Sequence, residues 1–206
     1  MIRLLVADDQ DLVRSALATT LGLEDDIEVV GQAGDCAAAV ATTAQAQPDV
    51  VLLDVQMPSG GLKCEDGIDA IAELLRGAPQ AKVLVVTTFG RPGYLRRALE
   101  AGASGFMVKD APVERLLDGI RRVHAGLRMV DPELAAASLS LGNSPLTERE
   151  AQVLGASVGG SSTAQVAAKL FLSEGTVRNY LSAAIGKLGA RNRAEAIRTA
   201  EDNGWL

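Results

Sequence analysis

VVLLDVQMP, residues 50–58, decides how this chain is read: four aliphatic residues in a row stop at Asp54, and Pro58 closes the segment soon after. A run so short and so evenly apolar, ended by an acid and a proline, predicts a buried parallel strand. Working outward, the same signature recurs in IRLLVA (2–7), IEVVGQA (27–33), VLVVT (83–87) and GFMV (105–108), each bounded by Asp, Gly or Pro. Helical stretches fill the intervals at 11–21, 36–46, 66–76, 92–101 and 112–125, with Gly102 and Gly126 as stops and Pro112 in a first turn. Five strand–helix units predict an α/β fold: a doubly wound, five-stranded parallel sheet. In such sheets ligands bind beyond the carboxyl ends of the strands.

Those ends carry Asp8 and Asp9 after the first strand, Asp54 after the third, Thr87 after the fourth and Lys109 after the fifth. Crowded carboxylates repel one another unless a hard divalent cation sits among them. Mg²⁺ (or Mn²⁺) favours one or two carboxylates together with water and phosphate oxygens, so the set points to a metal and phosphoryl site. LLVADDQ, VVLLDVQMP, VLVVTTF and GFMVKD together resemble the receiver domain of response regulators across residues 1–125.

The resemblance implies a flavodoxin-like strand order, 2-1-3-4-5, and a role for each residue. Asp54 would take a phosphoryl group from a sensor histidine kinase. Asp9 and Asp54 would ligate the metal directly, Asp8 through water, and the backbone carbonyl of Gln56 would add a ligand. Lys109 would pair with a phosphoryl oxygen. Thr87 would swing its hydroxyl onto the new phosphate, and Phe106 would follow by repacking inward. Two departures stand out. Gly67 falls later after Pro58 than the family's glycine, so SGGLKCED (59–66) reads as a loop enlarged by about five residues, Gly-rich and mobile in character. Bulky Gln56 and Phe89 flank the path of the attacking water, which predicts slow autodephosphorylation. Cys36 and Cys64 lack metal-ligand spacing and read as packing or surface thiols. His124 reads as a surface residue.

After Gly126 the chain is small and polar through RMVDPELAAASLSLGNSP (128–145), a linker over 126–143 whose PELAAASL can form a short helix. From 144 to 206 every signal is helical and predicts a small four-helix bundle. Thr147 with Glu150 is a capping-box pattern, Ser173 precedes Glu174, and Arg191-Asn192 opens a last helix through Ala200. Helix 163–170 joined by the short turn FLS to helix 174–188 predicts a helix-turn-helix. LTEREAQVL, QVAAKLFLSEGTVRNYLSAAIGKL and ARNRAEAI resemble the LuxR-type DNA-binding domain, and the whole chain resembles the NarL/FixJ response regulators. The ending RNRAEAIRTAEDNGWL also resembles regulators of the fatty-acid desaturase type.

On the second helix of that motif, Val177, Leu181, Ile185 and Leu188 form a stripe to bury, which turns Arg178, Asn179 and Ser182 outward. Arg178 and Asn179 are the base-reading candidates. Thr176, Ser182 and Lys187 suit backbone or weaker contacts with double-stranded operator DNA. The resemblance implies homodimers, with Ala194, Ile197 and Ala200 on the last helix as contact candidates.

Charge follows the same division. The chain's net −6 is carried by residues 1–125, with 12 Lys+Arg against 18 Asp+Glu, whereas residues 144–206 hold 7 against 6. The acidity therefore does not exclude nucleic acid as a partner of the second half. No apolar run approaches the roughly 20 residues of a membrane span, so a cytoplasmic protein is expected. An aspartyl-phosphate hydrolase also uses an Asp nucleophile and Mg²⁺. Its usual second Asp, two residues after the nucleophile, is Gln56 here, and no enzyme is expected. A degenerate receiver is argued against by the intact Asp8, Asp9, Asp54, Thr87 and Lys109.

Overall fold

A computed structural model describes residues 1–88, 90–140 and 144–206. The chain divides into two compact units, one built from residues 1–90 and 94–135, the other from 136–206 with the short segment 91–93.

The first unit alternates strands and helices: β1 (Ile2–Ala7), α1 (Asp11–Leu21), β2 (Ile27–Ala33), α2 (Cys36–Ala46), β3 (Val50–Leu53), α3 (Gly67–Gly77), β4 (Lys82–Thr87), α4 (Pro92–Glu100), β5 (Gly105–Val108), α5 (Val113–His124) and β6 (Met129–Val130). All strand pairs are parallel, in the order β2-β1-β3-β4-β5-β6. The expected five-stranded sheet therefore gains a sixth strand. It is two residues long, too short to leave an apolar run, and it pairs Gly105 with Met129 and Phe106 with Val130.

Strand side chains alternate between faces, and here the alternation splits the core in two. Leu5, Ala7, Val51, Leu53, Val83 and Val85 point to one cluster with Ile68, Ile71 and Leu74 of α3 and Leu95 of α4. Leu4, Val6, Val50, Leu52, Leu84 and Val86 point to the other, with Leu21 of α1 and Leu116, Ile120 and Val123 of α5. Because both faces are covered, the inner strands β3 and β5 are apolar throughout, whereas β2 at the sheet edge keeps Glu28 and Gln32 exposed. Asp35 caps α2 by accepting from the Ala38 N–H (2.7 Å), and Asp66 caps α3 by accepting from Ile68 (2.9 Å) and Asp69 (3.2 Å).

After α6 (Pro132–Ser140), the helix expected within the linker, the second unit contains α7 (Glu148–Gly155), a 3₁₀ turn (Val158–Gly160), α8 (Thr163–Leu170), α9 (Glu174–Lys187) and α10 (Arg193–Asp202). The Thr147–Glu150 capping box forms as expected: Thr147 Oγ1 accepts from the Glu150 N–H (3.3 Å) and Glu150 Oε2 from the Thr147 N–H (2.7 Å). Ser162 and Gln165 make a second box at the start of α8. Ser173 and Asn192 cap α9 and α10. The core gathers Val153, Leu154, Val166, Val177, Leu181, Ala184, Ala196 and Ala200, with Trp205 and Leu206 packed against it.

Candidate phosphoacceptor site and DNA-reading helix

The ladder brings the strand ends together. Asp54 N donates to Ala7 O (2.9 Å), Asp8 N to Ala33 O (3.0 Å) and Lys109 N to Thr87 O (2.8 Å), so Asp8, Asp54 and Lys109 leave β1, β3 and β5 side by side. Lys109 Nζ donates to Asp8 Oδ2 at 2.6 Å and to Asp54 Oδ2 at 2.8 Å. Asp8 Oδ1 accepts from the Gln10 N–H at 3.0 Å. Oxygens of Asp8, Asp9 and Asp54 lie within 4.8 Å of one another, with Asp8 and Asp54 buried and Asp9 exposed.

One ammonium cannot balance three carboxylates. Burial pushes the Asp54 carboxyl above the usual range; the Lys109 hydrogen bond and charge pull the other way, and the charge of Asp8 adds to the rise. For Lys109, burial works against the ammonium, and the bonds to Asp54 and Asp8 outweigh it, raising its pKa. Asp54 Oδ1 is buried with no hydrogen-bond partner among the described residues. A buried carboxylate oxygen left over beside exposed Asp9 fits a small, hard, oxygen-seeking cation such as Mg²⁺. Both oxygens of Asp8 are already engaged, which suits contact through water.

Thr87 and Phe106 are both fully buried. Phe106, expected to move inward on phosphorylation, sits fully buried in the core beside β4. Phe89 lies outside the described residues. The Gln56 side chain is exposed, and His124 is on the surface, where it was expected.

The enlarged loop returns to the same point. Gly67 opens α3 with its N–H on Val55 O (2.8 Å), and a Cβ there would stand 2.0 Å from the Asp54 carbonyl oxygen, so only glycine fits behind Asp54. The loop itself leans on the start of α2: Cys36 N donates to Pro58 O (2.9 Å), and Gly60, at φ 61°, sits where a Cβ would come 2.2 Å from Asp35 Oδ1.

Sequence reasoning missed Arg97. From α4 it donates to Asp66 Oδ2 (2.8 Å), Asp66 Oδ1 (3.2 Å) and Asp69 Oδ1 (2.9 Å), tying α4 to the first turn of α3. Burial disfavours its charge, but the two carboxylates outweigh that and raise its pKa. Nothing local in LRRALE marks this arginine, because its partners are about thirty residues away.

In the second unit, α9 buries Val177 and Leu181 and half-buries Ile185 and Leu188, as the stripe predicts. Arg178, Asn179 and Ser182 are exposed. Arg178 makes only a loose 3.4 Å pair with Glu174, both ends in solvent. Thr176 is half-buried with its hydroxyl 2.8 Å from Ser173 Oγ. Two expectations change. Lys187 Nζ sits 2.7 Å from Glu150 Oε2, so its charge is spent holding α9 to the capping box of α7. Ala200 is fully buried in the unit's own core and is unavailable for a dimer contact, whereas Ala194 is exposed and Ile197 partly so.

Residues 4–121 match the response regulator receiver domain, and residues 144–200 match the bacterial regulatory proteins of the luxR family. The chain belongs to the LuxR-type response regulators. This response regulator is 41% identical over 206 residues to transcriptional regulatory protein DesR of Bacillus subtilis (strain 168), with 100% of both chains covered. That similarity is consistent with the desaturase-type resemblance of the ending. It is 40% identical, with the same coverage, to the uncharacterized transcriptional regulatory protein YvfU of that organism. Among solved structures, response regulator ChrA of a heme-sensing two-component system superposes with a TM-score of 0.56 at 36% identity, covering 100% of this chain and 98% of that one. The chain is thus a two-component response regulator that controls transcription. No helix among the described residues is long and apolar enough to cross a membrane.

Proposed function

We propose that Asp54 is the phosphoacceptor and that its phosphorylation by a cognate sensor histidine kinase drives a cytoplasmic homodimer onto operator DNA. The observation that carries this is the arrangement at Asp54: Lys109 holds Oδ2, and Oδ1 is buried and free for the cation or for attack on phosphorus. Asp9, Asp54 and the Gln56 carbonyl would hold Mg²⁺ directly and Asp8 through water; the bound cation supplies charge neutralisation at the phosphoryl oxygens. An Asp54 oxygen attacks the phosphorus of the kinase's phosphohistidine and forms an acyl phosphate as the P–N bond breaks and the histidine leaves; Lys109 donates from Nζ to a phosphoryl oxygen, and Thr87 turns its hydroxyl toward the same group. Seating the Thr87 hydroxyl there biases the α4–β5 face, with Phe106 held inward behind it.

The receiver spans 1–125, the linker 126–143 and the DNA-binding domain 144–206, a division that agrees with the family matches at 4–121 and 144–200, although the first compact unit runs on to residue 135 and takes in β6. Arg178 and Asn179 read base edges, and Ser182 and Thr176 contact the backbone. Lys187 serves the fold first.

Treatment with a small-molecule phosphodonor and Mg²⁺, read by intact mass and by size in solution, tests the proposal. The native chain gains one phosphoryl group and shifts toward dimer, and Asp54→Asn does neither. Equal labelling of Asp54→Asn would sink it.

A further inference from the structure

We propose that Cys36 and Cys64 form a redox-active dithiol that closes to an intramolecular disulfide, fastening the 59–66 loop to the start of α2. The sequence holds two cysteines, far apart and without a CxxC motif. The fold brings them together. The segment 57–66 wraps the Cys36 thiol, which faces Met57 O at 3.8 Å and Asp66 O at 3.7 Å. Cys64 stands two residues before Asp66 and packs against the same apolar cluster that contains Cys36, as does Leu62. Cys64 is also near enough to Cys36 to raise the pKa of its thiol, so the two side chains are neighbours in this packing. The loop's close approach at Gly60 holds this geometry.

The two thiols differ in access. Cys36 is fully buried and Cys64 half-exposed, so a reagent from solvent reaches Cys64 first. The Cys64 thiolate attacks a low-molecular-weight disulfide; the reagent's S–S bond breaks, one thiolate leaves, and a mixed disulfide stands on Cys64. Cys36 then loses its proton to solvent as its sulfur attacks Cys64 sulfur, and the second thiolate leaves. Two protein thiols are oxidised to one disulfide, the reagent is reduced to two thiols, and the two protons end on those leaving groups. Burial pushes the Cys36 thiol up to about 12, which makes the second step the slow one. In a reducing compartment such a bridge is transient and reports oxidant.

The test uses the full, unphosphorylated chain and oxidised glutathione, so its outcome is independent of Asp54 chemistry. Free thiols are blocked with N-ethylmaleimide under denaturing conditions, and the products are read by intact mass and peptide mapping. A glutathione adduct on Cys64 is expected to rise and then decay to a species about 2 Da lighter than the reduced chain that takes no maleimide. Cys64→Ser stays unmodified and Cys36→Ser stops at the adduct; the native time course carries the test alone should either variant fail to fold. Trypsin cuts after exposed Lys63 about tenfold more slowly in the bridged form. A native chain that stops at the adduct, or that crosslinks to a second copy through Cys64, overturns the pairing. A bridged chain cut at the unbridged rate overturns the fastening.

Discussion

At Asp54 the chain carries a cost that a ligand can relieve. Two buried carboxylates share one ammonium, and Asp54 Oδ1 is buried with no hydrogen-bond partner among the described residues. Asp54→Asn removes the worst of the repulsion, so in metal-free buffer it should raise the receiver's thermal midpoint by several degrees, on the order of 1 kcal/mol. Mg²⁺ should raise the native midpoint and leave the variant's nearly unchanged, as calorimetry with and without the cation will show. A variant that responds to Mg²⁺ like the native chain would place the cation elsewhere. Gly67 is equally exacting: Gly67→Ala drives a methyl into the Asp54 carbonyl oxygen and should cost about 2 kcal/mol by denaturant melt while slowing phosphorylation. Asp8, Asp54, Thr87 and Lys109 were legible because a strand end is a local mark in the sequence. The position of Phe106 was not, since an aromatic in a strand reads the same whether poised to move or already seated.

Among the elements, α7 and α9 depend on one carboxylate. Glu150 completes the capping box and takes the Lys187 ammonium, and the Lys187 hydrogen bond first, then the Thr147 backbone N–H, hold its carboxyl below the usual glutamate range. A lowered folded-state pKa contributes stability above the unfolded value, and that contribution disappears as pH falls through the folded one. Chemical denaturation of the DNA-binding unit should therefore show the native chain about 1 kcal/mol more stable than Glu150→Ala at neutral pH, the gap closing in acid below the ordinary glutamate pKa. Lys187→Ala should weaken this unit's stability more than its contacts with DNA. The capping box was readable because its two residues stand three apart. The Lys187 partner, the Arg97 clamp and the cysteine pair were not, since each joins residues some thirty apart with no shared motif. The two-residue β6 was hidden for the opposite reason, being too short to carry a pattern.

For the whole molecule, charge limits how the protein can hold DNA. The receiver half accounts for the net −6, and the second half is nearly balanced. Of the cations from 174 to 193, Lys187 is bound to Glu150 and Arg191 to Glu195. Few remain for phosphates, so a dimer should show a shallow salt dependence, with a log K against log salt slope no steeper than about −6. Fluorescence anisotropy across a salt series checks this, and a much steeper slope would mean basic contacts beyond those named. Division into an acidic α/β half and a helical half was visible from composition and periodicity alone, because each half keeps its own repeat.

The chain has one tryptophan, Trp205, and its indole is packed into the helical unit with Nε1 shielded from solvent. Nature has thereby fitted an optical gauge to one end of the molecule. Its emission follows melting of the DNA-binding unit while remaining blind to the sheet, and far-ultraviolet dichroism sees both. Overlaying the two signals in a single denaturation gives the separate stabilities of sensor and effector without a label, and shows whether a phosphoryl group on one is felt by the other.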